Sequence, residues 1–167
     1  MPAHPPDEIL ALPAIPVSAG ALIFSRSGRL LILKPTYKAG WTIPGGVMEA
    51  GGETPWQACQ REVREECGIV LKRARLACMD FRPPRPGRPG GIRYLFDAGR
   101  LRARALDAII VQAEEISEYR LVSLAEAAQL LRRPIARRVD AAVRAGKATV
   151  YLENGRRVPK VGLRKLG

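Results

Sequence analysis

The stretch from Thr54 to Gly68 constrains the fold of this chain more than any other. Thr54 is a good N-cap, Pro55 suits the first helical position, and Gln57 completes a capping-box pattern with Thr54. Gly68 supplies the C-terminal stop. Trp56, Cys59, Val63 and Cys67 recur between them at helical spacing. The spacing predicts a helix over residues 55–67 with one buried stripe.

Strand-like runs flank this helix. Residues 17–24 and 29–33 are apolar and β-prone, and the turn residues between them predict a hairpin. Pro44-Gly45-Gly46 breaks the chain before the helix. Residues 69–79 read as a strand, and residues 82–91, rich in Arg, Pro and Gly, as an exposed basic loop. Further strands are expected over 92–96, 108–111 and 118–122. Ser123, with Glu126 three residues on, heads a helix through residue 131, and 135–145 reads as another. Residues 149–152 and 156–158 flank Glu153-Asn154-Gly155, a hairpin turn signal. Strands and helices mix without strict alternation. That predicts an α/β (α+β) fold with helices on the faces of a mixed sheet. Residues 13–167 read as a single domain after a disordered tail over 1–12.

Charge and cysteine content narrow the setting. The 28 Lys+Arg against 16 Asp+Glu leave a formal +12, which attracts anions: nucleotides, RNA or acidic membrane surfaces. It does not choose among them, and an Arg-rich composition explains it equally well. Cys59, Cys67 and Cys78 are odd in number and lack C-x-x-C spacing. This argues against a disulfide framework or zinc site and fits a reducing cytoplasm. The only histidine, His4, falls in the expected tail, which speaks against a histidine base. The N-terminal apolar run is broken by Pro13 and Pro16, so neither a signal peptide nor a membrane span is expected.

Glu62, Glu65 and Glu66 are spaced i, i+3, i+4, so a helix carries them together, roughly 110° from the apolar stripe. They stand near the helix C-terminus, where the dipole disfavours anions. A divalent cation would offset the repulsion, and hard oxygen ligands select Mg²⁺, with Mn²⁺ as the alternative. Taken alone, such a triplet reads equally as a solvated face paired with its own arginines.

The context of the triplet resembles the Nudix box, G-x5-E-x7-R-E-U-x-E-E-x-G-U, where U is a bulky aliphatic residue. Glu53, Arg61, Glu62, Val63, Glu65, Glu66, Gly68 and Ile69 all fall at its positions. Six residues separate Gly46 from Glu53 where the pattern has five, and the extra residue is expected near the Gly51-Gly52 pair.

The resemblance implies an α/β/α sandwich and a Mg²⁺-dependent pyrophosphohydrolase. Such an enzyme cleaves the phosphoanhydride of a nucleoside diphosphate linked to another group: an ADP-ribose-like compound, a nucleotide sugar or a nucleoside triphosphate. The chain would work as a monomer or homodimer. It implies Glu62, Glu65 and Glu66 as metal ligands, joined by the Gly45 carbonyl and by Glu115 from a later loop, with Glu114 and Glu118 as rivals. Arg61 and Glu53 would brace the box. Arg82, Arg85, Arg88 and Arg93 are candidates to bind the substrate's phosphates, and Trp41 to stack its base. Pro84 lies fifteen residues beyond Ile69, where ADP-ribose-cleaving relatives tend to carry a proline. Two alternatives follow from the same resemblance. One is a nucleotide-binding regulator without turnover, which would ordinarily lack box carboxylates. The other is a pyrophosphohydrolase acting on RNA 5′ ends, suggested only by the net charge.

Overall fold

The computed structural model describes residues 14–159 and 161. The tail expected over 1–12, with His4, lies outside them. Strands β1 (Val17–Phe24), β2 (Leu30–Pro35) and β3 (Gly45–Val47) precede helix α1 (Pro55–Cys67). Strands β4 (Arg75–Arg82) and β5 (Gly91–Arg100), helix α2 (Ala103–Asp107) and strand β6 (Ile116–Val122) follow. Helices α3 (Leu124–Leu130) and α4 (Arg133–Ala145) and the hairpin β7 (Val150–Glu153) and β8 (Arg156–Arg157) complete the described chain. The strands form one mixed sheet in the order β6-β2-β1-β5-β4-β7-β8, with β3 paired to β1. β1 runs parallel to β5 and β4 parallel to β7, while the other pairs are antiparallel.

Strand periodicity puts a core on each face of this sheet. Ala19, Ala21 and Ile23 of β1 pack with Ala58, Cys59, Val63 and Cys67 of α1. Leu22, between them, turns to the opposite face and joins Ile135, Val139 and Ala142 of α4. β2 divides in the same way, Leu31 and Leu33 toward α1, Leu30 and Ile32 toward α4. Burial on both faces explains why these runs are continuously apolar and not alternating. The result is the three-layer α/β/α sandwich with a mixed sheet.

Several expected elements are redrawn by tertiary contacts. β4 starts at Arg75, not at residue 69. Ile69 and Leu71 are buried under α1 as coil, and Gln60 Nε2 donates to the Leu71 carbonyl at 2.7 Å where a ladder bond was expected. The short strand expected over 108–111 is not formed. Ile109 is anchored by its side chain, and the Ile110 N–H donates to the Cys67 carbonyl at 3.3 Å. The short helix α2 just before it was not expected. The hairpin over 17–33 pairs only at Phe24 and Leu30, because residues 42–47 enter between its arms: Thr42 pairs with Leu33 of β2, and β3 pairs with Ser18, Ala19 and Gly20 of β1. Residues 83–89 are exposed, as expected, and close the β4–β5 hairpin through mutual Arg85–Arg88 backbone bonds of 2.9 and 2.8 Å. Among the described residues no helix is long and apolar enough to cross a membrane.

Candidate active site

The caps of α1 fix its rotation over the sheet. The Thr54 hydroxyl accepts from the Gln57 N–H at 3.2 Å, the Gln57 side chain accepts from the Thr54 N–H at 2.8 Å, and Gly68 closes the helix at φ 69°. That rotation grades the three glutamates. Glu66 is only 4% exposed and accepts from the Gly45 N–H at 2.7 Å. The Glu62 side chain is 15% exposed and lies against Gly46, while that of Glu65 is 44% exposed. The glycines permit this approach. A Cβ at Gly46 would overlap the Glu62 carboxylate, and one at Gly45 would strike the Ala19 carbonyl. Gly51 and Gly52, where the extra box residue is expected, are both at positive φ with open space around them.

Arg61 ties the acidic groups together. Its Nε donates to Glu53 at 2.9 Å, and its Nη1 donates to Glu62 at 3.0 Å and to Glu65 at 3.1 Å. Its Nη2 reaches the Val47 carbonyl at 3.0 Å. Glu53 also accepts from the Glu49 N–H at 2.6 Å, so it clamps both Arg61 and the preceding loop. The hydrogen bond from Arg61 holds the Glu53 carboxyl below the usual carboxylate range, and the reciprocal bond raises Arg61. Deeper in, the balance reverses. Burial raises Glu62 against the pull of Arg61, with Glu65 and Glu115 adding to the rise. Glu66 is pushed up to about 8, first by burial. Its bond from Gly45 opposes the rise, Glu62 and Glu115 reinforce it, and Lys38 tempers it.

Among the later carboxylates, the charge of Glu115 is the one felt at both Glu62 and Glu66. Its turn is held by Thr36, whose N–H donates to the Glu115 carbonyl at 2.8 Å and whose hydroxyl donates to the Glu114 carbonyl at 2.7 Å. Glu118 is instead paired with Arg120 at 2.6 Å. Glu62, Glu66 and Glu115 are an oxygen-only, mutually repelling set, Glu66 buried, Glu62 half-buried and Glu115 exposed, with the side-chain space at Gly46 given over to Glu62. Such donors suit a hard divalent cation. In their present positions no three His, Cys, Asp or Glu side chains among the described residues close into a ready-made cage. Arg61 holds Glu62 and Glu65 in its place and would have to share them with an ion.

On the α4 side, Gly45 and Gly46 open into a cleft of about 480 Å³. Its walls carry Lys38, Arg82, Arg88, Arg93, Arg132 and Arg138. Arg82, Arg88 and Arg93, expected to bind substrate, therefore share one cavity with the box glycines. Arg85 does not line it and stands exposed in the hairpin turn. Trp41 does not line it either. It is 7% exposed in the core beneath α4, and the Arg120 guanidinium lies 4.7 Å from the centre of its ring. That ring is not presented to a base in the cleft.

Sequence reasoning did not single out Lys38, Arg132, Arg138 or Asp80. For Arg138 a signal existed. It follows Ile135 by three residues and precedes Val139 and Ala142, which places a cation on the buried stripe of α4. Asp80 likewise stands in the apolar run of β4, 1% exposed, paired with Arg138 at 3.5 Å and accepting from the Gly155 N–H at 2.8 Å.

The fold is an α/β/α sandwich whose glutamate helix meets Gly45 and Gly46 at the edge of a cationic cleft, and comparison with known proteins narrows its class. The NUDIX domain profile matches residues 14–143. The chain belongs to the Nudix family. It is 39% identical over 67 residues to a MutT-like protein of Streptomyces ambofaciens. That match spans 40% of this chain and 43% of the relative, less than half its length. Among solved structures it is similar to a MutT protein of Methanosarcina mazei, with 26% identity, TM-score 0.62, and 78% of this chain and 91% of that one covered. It also shares the fold of the NUDIX domain of Shewanella oneidensis NrtR complexed with ADP-ribose. There the identity is 17% and the TM-score 0.66, with 84% and 92% covered. Nudix hydrolases generally use divalent metal ions.

Proposed function

We propose that this chain is a Mg²⁺-dependent pyrophosphohydrolase that cleaves the phosphoanhydride of a nucleoside diphosphate linked to another group. One observation carries the reading. Glu66 and Glu62 sit directly against Gly45 and Gly46, and those glycines open into the cleft walled by Lys38 and arginines. Carboxylates able to hold a cation and cations able to hold phosphates therefore meet at one turn.

Glu62, Glu66 and Glu115 would hold the ion, with Glu65 at the outer edge and the Gly45 carbonyl as a further donor. A bound Mg²⁺ would neutralise diphosphate charge and lower the pKa of a bound water. Arg61 orients Glu62 and Glu65, so their oxygens are placed before any substrate arrives. Lys38 and Arg132 on the cleft wall bind the phosphate oxygens of the anhydride and steady the charge that builds on the departing group. The cleft is of a size that takes a small-molecule ligand. Water attacks phosphorus, the anhydride P–O bond breaks, and a nucleotide and a phosphorylated second product leave. ADP-ribose-like compounds, nucleotide sugars and nucleoside triphosphates are the substrates proposed. The ADP-ribose complex of the Shewanella oneidensis domain supports the first, since a fold of this shape accommodates it.

The test is a Mg²⁺-dependent screen of nucleoside diphosphate compounds with identification of both products, run beside Glu62→Gln. Turnover that needs Mg²⁺ and is lost in the variant is expected. Tight ligand binding with no turnover across the panel would overturn the hydrolase in favour of a binding protein.

A further inference from the structure

The cleft has a second end, and its composition is unusual. Arg82 of β4, Arg93 of β5 and Arg138 of α4 line it, and behind Arg138 lies one buried carboxylate, Asp80. Both Asp80 oxygens are already engaged, one by the Gly155 N–H at 2.8 Å and one by Arg138 at 3.5 Å. Among the described residues Arg93 donates only to backbone carbonyls, at 3.4 Å to Ile92 and 3.3 Å to Gly90. Its guanidinium folds over Gly91, where a Cβ would lie 2.7 Å from Nη1. Burial pulls Arg93 and Arg138 down from the ordinary arginine range, and repulsion from Arg82 adds to both. Among the described residues, these three guanidiniums line one cavity while the neighbouring carboxylate, Asp80, is paired with Arg138 alone, which leaves the cluster short of an anion.

Strand spacing says which anion. The Gly45–Gly46 strand is separated from Arg93 by β1, because Val47 and Arg93 both pair with Ser18. Arg93 in turn pairs with Asp80 in β4. Two to three strand spacings amount to about 10–14 Å. Arg93 leans toward Gly90 and the hairpin, away from the Gly45 row. One diphosphate seated at Gly45–Gly46 is too short to reach it.

We propose that Arg82, Arg93 and Arg138 form a second anion subsite. It takes a phosphate group of the substrate that lies about one sugar or nucleoside away from the anhydride being cleaved. The preferred substrates are then nucleoside diphosphate compounds with an additional phosphomonoester, on the nucleoside or on the linked sugar. This choice of substrate rests on the hydrolase reading above, whereas the subsite itself does not.

The subsite is tested without catalysis. Inorganic phosphate is titrated into the metal-free protein in EDTA while the arginine Nε–H resonances are followed by NMR. Saturable shifts are expected at Arg82, Arg93 and Arg138 and not at the exposed Arg104 and Arg144. Arg93→Gln should weaken binding at least about tenfold. Should that variant melt early, Arg82→Gln takes its place. Non-saturating shifts, or equal shifts at Arg104 and Arg144, overturn the subsite. The substrate class is tested by KM for pairs of diphosphate compounds differing by one phosphomonoester. The phosphorylated member of a pair should have the lower KM by about tenfold, and Arg93→Gln should erase that preference. Hydrolysis with no preference in any pair overturns the assignment of the subsite to substrate. Saturable phosphate binding with no hydrolysis at all keeps the subsite and sinks the hydrolase.

Discussion

Glu66→Gln should make the metal-free protein more stable and the enzyme inactive. In the folded chain Glu66 is pushed from 4.5 to about 8, chiefly by burial. Below pH 4.5 it is protonated whether the chain is folded or not, and nothing is lost. Between 4.5 and 8 the unfolded chain releases its proton while the folded chain retains it. Folding then loses about 1.4 kcal/mol for each pH unit. Above pH 8 both forms are ionised, and the penalty levels off on the order of 4–5 kcal/mol. Gln at this position keeps an oxygen to accept from the Gly45 N–H and carries no charge to desolvate. The gap between variant and wild type should therefore open from near zero at pH 4.5 to a plateau above pH 8, about 10 °C in Tm for a domain of this size. Thermal and urea unfolding in EDTA from pH 4.5 to about 9 measures it. With Mg²⁺ present, hydrolysis by the variant should fall by at least about 10²-fold. A stability gap that ignores pH, or a wild type that is the more stable at pH 8, would refute the reasoning.

Three further predictions rest on the same site. Gly46→Ala forces its Cβ into the Glu62 carboxylate, the movable end of a flexible side chain, so Glu62 should swing away and kcat collapse while stability changes by less than about 1 kcal/mol, read by kinetics and melting together. Arg61→Lys retains charge but cannot span Glu53, Glu62, Glu65 and the Val47 carbonyl at once. A loss of about 10–100-fold in kcat/KM is expected, and near-normal turnover would show the network to be dispensable. Arg88→Ala should raise KM at low salt by about 5–10-fold while Arg85→Ala leaves it unchanged, since only the former lines the cleft. Equal effects would point to general field attraction.

The sequence was most legible where local rules and tertiary structure agreed. The caps at Thr54 and Gly68 and the stripe of Cys59, Val63 and Cys67 define α1 in both views. The hairpin turn at Asn154 and Gly155, both at positive φ, does the same for β7 and β8. Where long-range contacts decided, local reading fell short. Ile69 and Leu71 satisfy a burial pattern without a ladder, and Ile109 is buried in coil. At the site, spacing placed Glu62, Glu65 and Glu66 together but could not foresee their different depths. Those depend on Gly45 and Gly46 arriving from β3. Trp41 carried no local sign that Arg120 of β6 would cover its ring. Lys38 comes from the loop after β2 and Arg132 and Arg138 from the N-cap and body of α4, and only the packing of α4 on the sheet joins them in the cleft.

The glutamates hang from α1 on one side of the sheet, while Arg138 descends from α4 on the other, and the two groups approach each other only around the edge at Gly45 and Gly46. On the proposed function, the carboxylates that would hold the ion and the α4 cations that would hold phosphate are thus rooted in different hydrophobic cores. On that reading, substitutions at Arg132 or Arg138 would alter what the cleft holds while leaving the packing of α1 and its carboxylates in place.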